Sequence, residues 1–164
     1  MYIVIYSRTN NKKMCFYKDH SEHKISDKDI VCYKVVHADP TSTDSVFTEC
    51  CSRVMKFPYK VGETYISDGF TLSELDVKGQ LHGGVFHSYT RISNEHLEGL
   101  AARNEFWWYQ RSVINEFLCI MECVIPAGTP YWENLNCLEY ASMSIKVLRI
   151  MNPIEVLNDE EVLG

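Results

Sequence analysis

The chain is short of positive charge. Sixteen Lys and Arg stand against 22 Asp and Glu, a net charge of −6. A general nucleic-acid binder needs Lys and Arg clustered against the phosphates, because each neutralised phosphate releases counterions. Here they are dispersed, which excludes a nucleic-acid stripe and leaves room only for a local positive pocket. Long apolar runs are missing as well. The opening MYIVIYSRTNNKK carries an apolar core of only about four or five residues with no basic segment before it. That is too short for a secretory signal and far too short to cross a bilayer, which takes about 20 residues. No phosphate-cradling loop is present either. The lone Gly83-Gly84 pair lacks the Lys-Ser/Thr of a P-loop and reads as a tight turn or bulge. Repeats and low-complexity tracts are absent, and the Ser/Thr-rich TSTDS after Pro40 is too short for an interdomain linker.

Cysteine and histidine are plentiful but wrongly spaced for a metal. There are seven Cys and six His. Structural zinc sites bring four ligands together, usually from closely spaced pairs. Cys119 and Cys123 are four apart on a predicted strand, which puts them on one face but more than about 10 Å from each other. His20 and His23 sit in a charged loop with no cysteine pair nearby. No metal is therefore expected. No Cys–His pair has a hydrolase spacing, so a thiol nucleophile is not expected. With an odd cysteine count, adjacent Cys50 and Cys51 and no export signal, the thiols read as reduced and mostly buried in a cytoplasmic protein.

What the chain does have is enough for a core. Its 164 residues, 46% hydrophobic and 23% charged, fit one globular domain. The expected fold is α+β and compact, a mainly antiparallel or mixed β-sheet with one principal helix, about 94–109, packed on it. Residues 1–150 are expected to form a single α+β domain and 151–164 an acidic C-terminal extension. Phe117–Ile125 is nearly unbroken apolar, interrupted only by Glu122, and suits a strand covered on both faces. Pro126 ends that strand, and Gly128 and Pro130 mark a turn. Alternation over Ser144–Ile150 puts Ile145, Val147 and Arg149 on one face of a strand near a sheet edge. Ser93 precedes the helix, whose first turn carries Glu95 where the dipole favours it. Further strands are expected at Tyr2–Tyr6, Lys13–Tyr17, Ile30–Val36 and Val85–Thr90. Asp44 or Ser45 can cap a short helix through Val54, while Val46, Phe47, Thr48 and Cys50 suit an extended segment equally.

One polar set is suggestive of a cleft: His87, Ser88 and Thr90 on one strand, and Glu139 beyond a Gly-containing loop. The plainer alternative leaves Ser88 and Thr90 facing solvent and Glu139 on a surface turn. Trp107, Trp108 and Tyr109 either stack on a ring-bearing ligand or anchor the core.

Several fragments resemble a group of small proteins from bacteriophages and Bacteroidetes genomes. They are Val31-Cys32-Tyr33-Lys34-Val35-Val36, Tyr59 through Tyr65, Gly84-Val85-Phe86-His87-Ser88-Tyr89, Glu122 through Tyr131, and Glu139-Tyr140-Ala141-Ser142 with Ser144 through Val147. Together they span Val31 to Ile150. The layout also resembles, more distantly, the ADP-ribosyltransferase fold, in which an Arg or His strand, a Ser-x-Thr strand and a Glu strand surround nicotinamide adenine dinucleotide (NAD). Ser88-Tyr89-Thr90 stands for the second of these and Glu139 for the third. The first offers Lys34 and His37 rather than Arg, and Cys137 stands where many such enzymes carry Gln or Glu.

Two functions follow as expectations. The first is a small cytoplasmic phage- or mobile-element-type binding protein that acts stoichiometrically on a host protein or nucleotide-like ligand, with no cofactor and no membrane. The second is a transferase using NAD. There Glu139 would orient the ribose, His87 and Ser88 would line the pocket, and Lys34, Tyr89, Thr90 and Trp132 would contact the ligand.

Overall fold

A computed structural model describes residues 16–17, 23–38, 49–52, 57–67, 80–81, 85–109, 117–134 and 138–158. The expected Tyr2–Tyr6 strand and the His82-Gly83-Gly84 turn lie outside them. The strands are β1 (Phe16–Tyr17), β2 (Lys24–Ile25), β3 (Ile30–Ala38), β4 (Glu49–Ser52), β5 (Pro58–Lys60), β6 (Thr64–Ile66), β7 (Gln80–Leu81), β8 (Phe86–Tyr89), β9 (Phe117–Ile125), β10 (Pro130–Asn134), β11 (Glu139–Ser142) and β12 (Ser144–Met151). Two helices accompany them, α1 (Asn94–Tyr109) and α2 (Pro153–Leu157).

The strands hydrogen-bond in the order β2-β10-β11-β8-β3-β9-β12-β6, with β4 joined to β3 and β5 to β4, and β1 pairs with β7 apart from them. The pairings of β10 with β11 and β2, of β11 with β8, of β12 with β6 and of β4 with β3 and β5 are antiparallel. The architecture is thus mainly antiparallel sheet with two helices. By compactness the chain falls into two units, residues 1–32, 63–90 and 123–146 in one and 33–62, 91–122 and 147–164 in the other.

In the first unit the turn at Gly128 is pinned by contacts from a distant segment as well as by its own sequence. Gly128 adopts a φ of 82°, the left-handed conformation that a Cβ disfavours. Ser26 then closes the turn from the far side. Its hydroxyl donates to the Pro126 carbonyl at 2.6 Å and accepts from the Thr129 amide at 3.0 Å, while Gly128 N–H donates to its carbonyl at 2.7 Å. The Asp29 carboxylate accepts from the Ala127 amide. This seats β10 beside β2, where Lys24 pairs with Glu133 at 2.8 Å.

In the second unit, α1 begins as its sequence indicates. Ser93 caps it, its hydroxyl accepting from the His96 amide and its carbonyl from the Leu97 amide. Leu97 and Leu100 are buried. Asn104, also buried, uses both halves of its amide on Leu118: the side-chain nitrogen donates to the Leu118 carbonyl and the oxygen accepts from the Leu118 amide, each at 2.9 Å. Asn152 caps α2 by accepting from the Ile154 amide, and Pro153 and Val156 of that helix are buried.

Strand β9 is covered on both faces, since Leu118, Cys119, Ile120 and Met121 are all fully buried. In β12 Ile145 and Val147 are buried as the alternation requires, but Arg149 is exposed and Ile150 buried. The burial alternation ends at Leu148, since a guanidinium is too costly to bury in an apolar face without a partner. Arg149 instead meets Glu122 with two nitrogens, at 2.8 and 3.0 Å. Of the alternatives for 44–54, the described part, Glu49–Ser52, is the extended one, and buried Cys50 stands opposite buried Tyr59.

Candidate functional site

Register decides which of the polar side chains meet. Strands β8 and β11 pair with Tyr89 opposite Glu139, Ser88 opposite Tyr140, His87 opposite Ala141 and Phe86 opposite Ser142. Cross-strand partners share a face, and successive residues alternate between faces. His87, Tyr89 and Glu139 therefore stand on one face, Ser88 and Tyr140 on the other. Tyr89 and Glu139 are direct neighbours, with Cβ atoms about 5 Å apart, and His87 and Glu139 are diagonal neighbours at about 7–8 Å.

Strand β10 extends the Glu139 face, since Trp132 lies opposite Ala141. Trp132 packs with Val85, Ala141 and Met143, and His23 tilts against its ring at a centroid distance of 5.8 Å. Only 2% of Trp132 is exposed, so its ring is the floor of this face rather than a surface for stacking. His23, His87, Tyr89 and Glu139 are half-buried around it. Burial raises the Glu139 carboxyl above the ordinary carboxylate value, since a desolvated charge is disfavoured.

Backbone strain sits beside this carboxylate. Leu138, the residue before it, has a φ of 53° and is the one non-glycine of the described residues with a positive φ. For a Leu that conformation costs about 1–2 kcal/mol. Its carbonyl accepts from the Thr90 amide at 2.8 Å, which extends the β8–β11 ladder by one rung and holds Glu139 at the mouth of the strand.

The opposite face is tyrosine-rich. Tyr131 and Tyr140 meet edge-to-face at 6.0 Å, and burial is the main reason both phenols are raised above their ordinary value. Ser88 is 3% exposed and its hydroxyl has no hydrogen-bond partner among the described residues. Glu139 and His87 are thus brought together with Tyr89 and Trp132, whereas Ser88 is turned away from them. Thr90 follows β8 with the parity of Ser88. Lys34 lies half-buried on β3 in the second unit, and the Cys137 position is outside the described residues.

Sequence reasoning passed over His23, whose place beside Trp132 depends on the β2–β10 pairing. Its loop composition carried no sign of that pairing. Among the described residues no three His, Cys, Asp or Glu gather closely enough to hold a metal ion, and no helix is long and apolar enough to cross a membrane. No protein-family model matches the chain, and no curated protein and no solved structure matches it.

Proposed function

We propose that this protein binds a nucleotide-like small molecule on the Glu139 face and acts stoichiometrically, as a cytoplasmic binding protein of phage or mobile-element type. The observation that carries this reading is the direct pairing of Glu139 with Tyr89, with His87 diagonal to the carboxylate. A half-buried carboxylate accepts hydrogen bonds from the vicinal hydroxyls of a ribose. A phenol and an imidazole beside it offer ring faces and edges to a base. The strained Leu138 supports the same place, because strain is retained where the surrounding structure over-determines it, often at ligand sites. In this reading α1 packs on β9, an arrangement supported by the amide clamp of Asn104 on Leu118.

A second reading, an ADP-ribosyltransferase-like enzyme using NAD, is favoured by one observation. The Glu139 strand and the Ser88-Tyr89-Thr90 strand, 50 residues apart in the chain, are immediate partners. Against it stands the orientation of Ser88. A serine hydroxyl on the reverse face cannot share a ligand with Glu139 and His87, so a three-residue catalytic set is not assembled.

Calorimetric titration with NAD, ADP-ribose and ATP tests the first reading. Saturable binding by the parent is expected, weakened about tenfold or more by Glu139→Gln, since a charged hydrogen bond contributes about 1.5–3 kcal/mol. No binding of any of the three would reject it. Nicotinamide released from NAD by the parent and abolished in Glu139→Gln would establish the second reading instead.

A further inference from the structure

The first unit contains two thiols that the Glu139 face does not use. Cys32 on β3 and Cys123 on β9 are both fully buried, and their sulfurs are 3.7 Å apart. Cys123 also directs its thiol at the Cys32 carbonyl oxygen, at 3.4 Å. Strands β3 and β9 are neighbours in the sheet. To bond, the two sulfurs must close from 3.7 Å to about 2.05 Å. Cys50 and Cys119 are placed differently. Cys50 rests against the Met121 thioether at 3.7 Å, which cannot form a disulfide, and Cys119 lies on the same face of β9 at two rungs' remove from Cys123.

We propose that Cys32 and Cys123 form an oxidative modification site, a dithiol that closes to a cross-strand disulfide when the chain folds in the presence of a small-molecule disulfide such as oxidised glutathione. One thiolate attacks a glutathione sulfur, forming a mixed disulfide and expelling one glutathione thiolate. The second cysteine thiolate then attacks the protein-side sulfur of that mixed disulfide. This makes the Cys32–Cys123 bond and expels the second glutathione thiolate. The two cysteine protons end on the two glutathione thiols, and the protein pair is oxidised by the two electrons that glutathione gains. Exchange belongs to folding or to deep opening, because in the folded state both sulfurs are shielded from any reagent. Once closed, the bridge is shielded in the same way and restrains the unfolded chain across the whole Cys32-to-Cys123 segment. The pair is thus a staple whose presence records the redox conditions under which the chain folded. It does not depend on the nucleotide reading, and its test leaves that reading untouched.

The test is refolding from reducing denaturant into a buffer of reduced and oxidised glutathione, followed by acid quench, alkylation, digestion and mass spectrometry. The expected result is a dominant linked peptide joining Cys32 to Cys123, two hydrogens lighter than the separate thiols. It should persist in Cys119→Ala and vanish in Cys32→Ala. Soluble, refolded parent protein that lacks this link, or in which another pair predominates, would overturn the proposal. The mapping on the parent decides the matter even if a variant fails to fold.

Discussion

A single residue carries most of the functional reading. Glu139 is set at the start of β11 by a strained Leu138 and placed opposite Tyr89. Its burial makes a pH prediction. Because its folded pKa is raised, the folded state holds the proton more tightly than the unfolded chain does. The stability that follows is complete below the unfolded carboxylate value, about 4.3, and is lost as pH rises through the higher folded value. Glu139→Gln has no proton to lose there. In urea unfolding at matched pH, the variant should gain on the parent between about pH 4 and pH 7; an unchanged difference would show that the carboxylate is well solvated. Cys119 makes a second prediction at this scale. Burial, with smaller contributions from Cys50 and Glu155, pushes its thiol up to about 12. In native protein at pH 8 it should resist iodoacetamide and react only after denaturation, as mass mapping of the labelled peptides would reveal.

At the scale of the element, α1 and β9 were legible and their connection was not. Ser93 and the spacing of Leu97 and Leu100 mark the helix, and its bounds, Asn94–Tyr109, are those expected. Nothing in the composition of Asn104 announced that it would clamp Leu118 by both backbone groups. Asn104→Leu should destabilise the protein by about 1–3 kcal/mol, because it strands buried backbone groups that the amide had satisfied. Ile120→Ala, in the middle of a strand buried on both faces, should cost about 2–5 kcal/mol through lost burial and a residual cavity. Denaturant midpoints for the two variants check both figures. An Ile120→Ala protein that melts within a degree or two of the parent would mean that β9 is not a core strand.

At the scale of the whole molecule, redox chemistry is the measurable property. Among the described residues, Cys32, Cys50, Cys119 and Cys123 are buried and none is held in a disulfide. Protein freshly isolated from a reducing compartment should therefore titrate with all seven cysteines free under denaturing, non-reducing conditions. A count of five or fewer would show that a disulfide belongs to the native state there. The strand order teaches something else. In it β11 stands between β10 and β8 although α1 and β9 intervene in the chain between β8 and β10. Such a crossover closes long loops, and local pattern carries no information about which distant strand is the partner.

The division between what was local and what was not follows from these cases. By itself the sequence determined the mainly apolar β9, the capped start of α1, the turn at Gly128 and the buried thiols described here. Each rests on residues adjacent in the chain or on composition. It also held a constraint that is easily passed over. His87 and Ser88 are consecutive on a strand, and a period of two forbids consecutive side chains from sharing a face. Only the tertiary structure decided which of the two faces Glu139, and it chose His87 by setting Tyr89 opposite Glu139. The physical reason is register. A slip of one residue between β8 and β11 would have put Ser88 beside the carboxylate instead. What holds the register is the burial of Phe86 and Ser142 on one face and of Ala141 on the other, in a sheet whose strands come from distant parts of the chain.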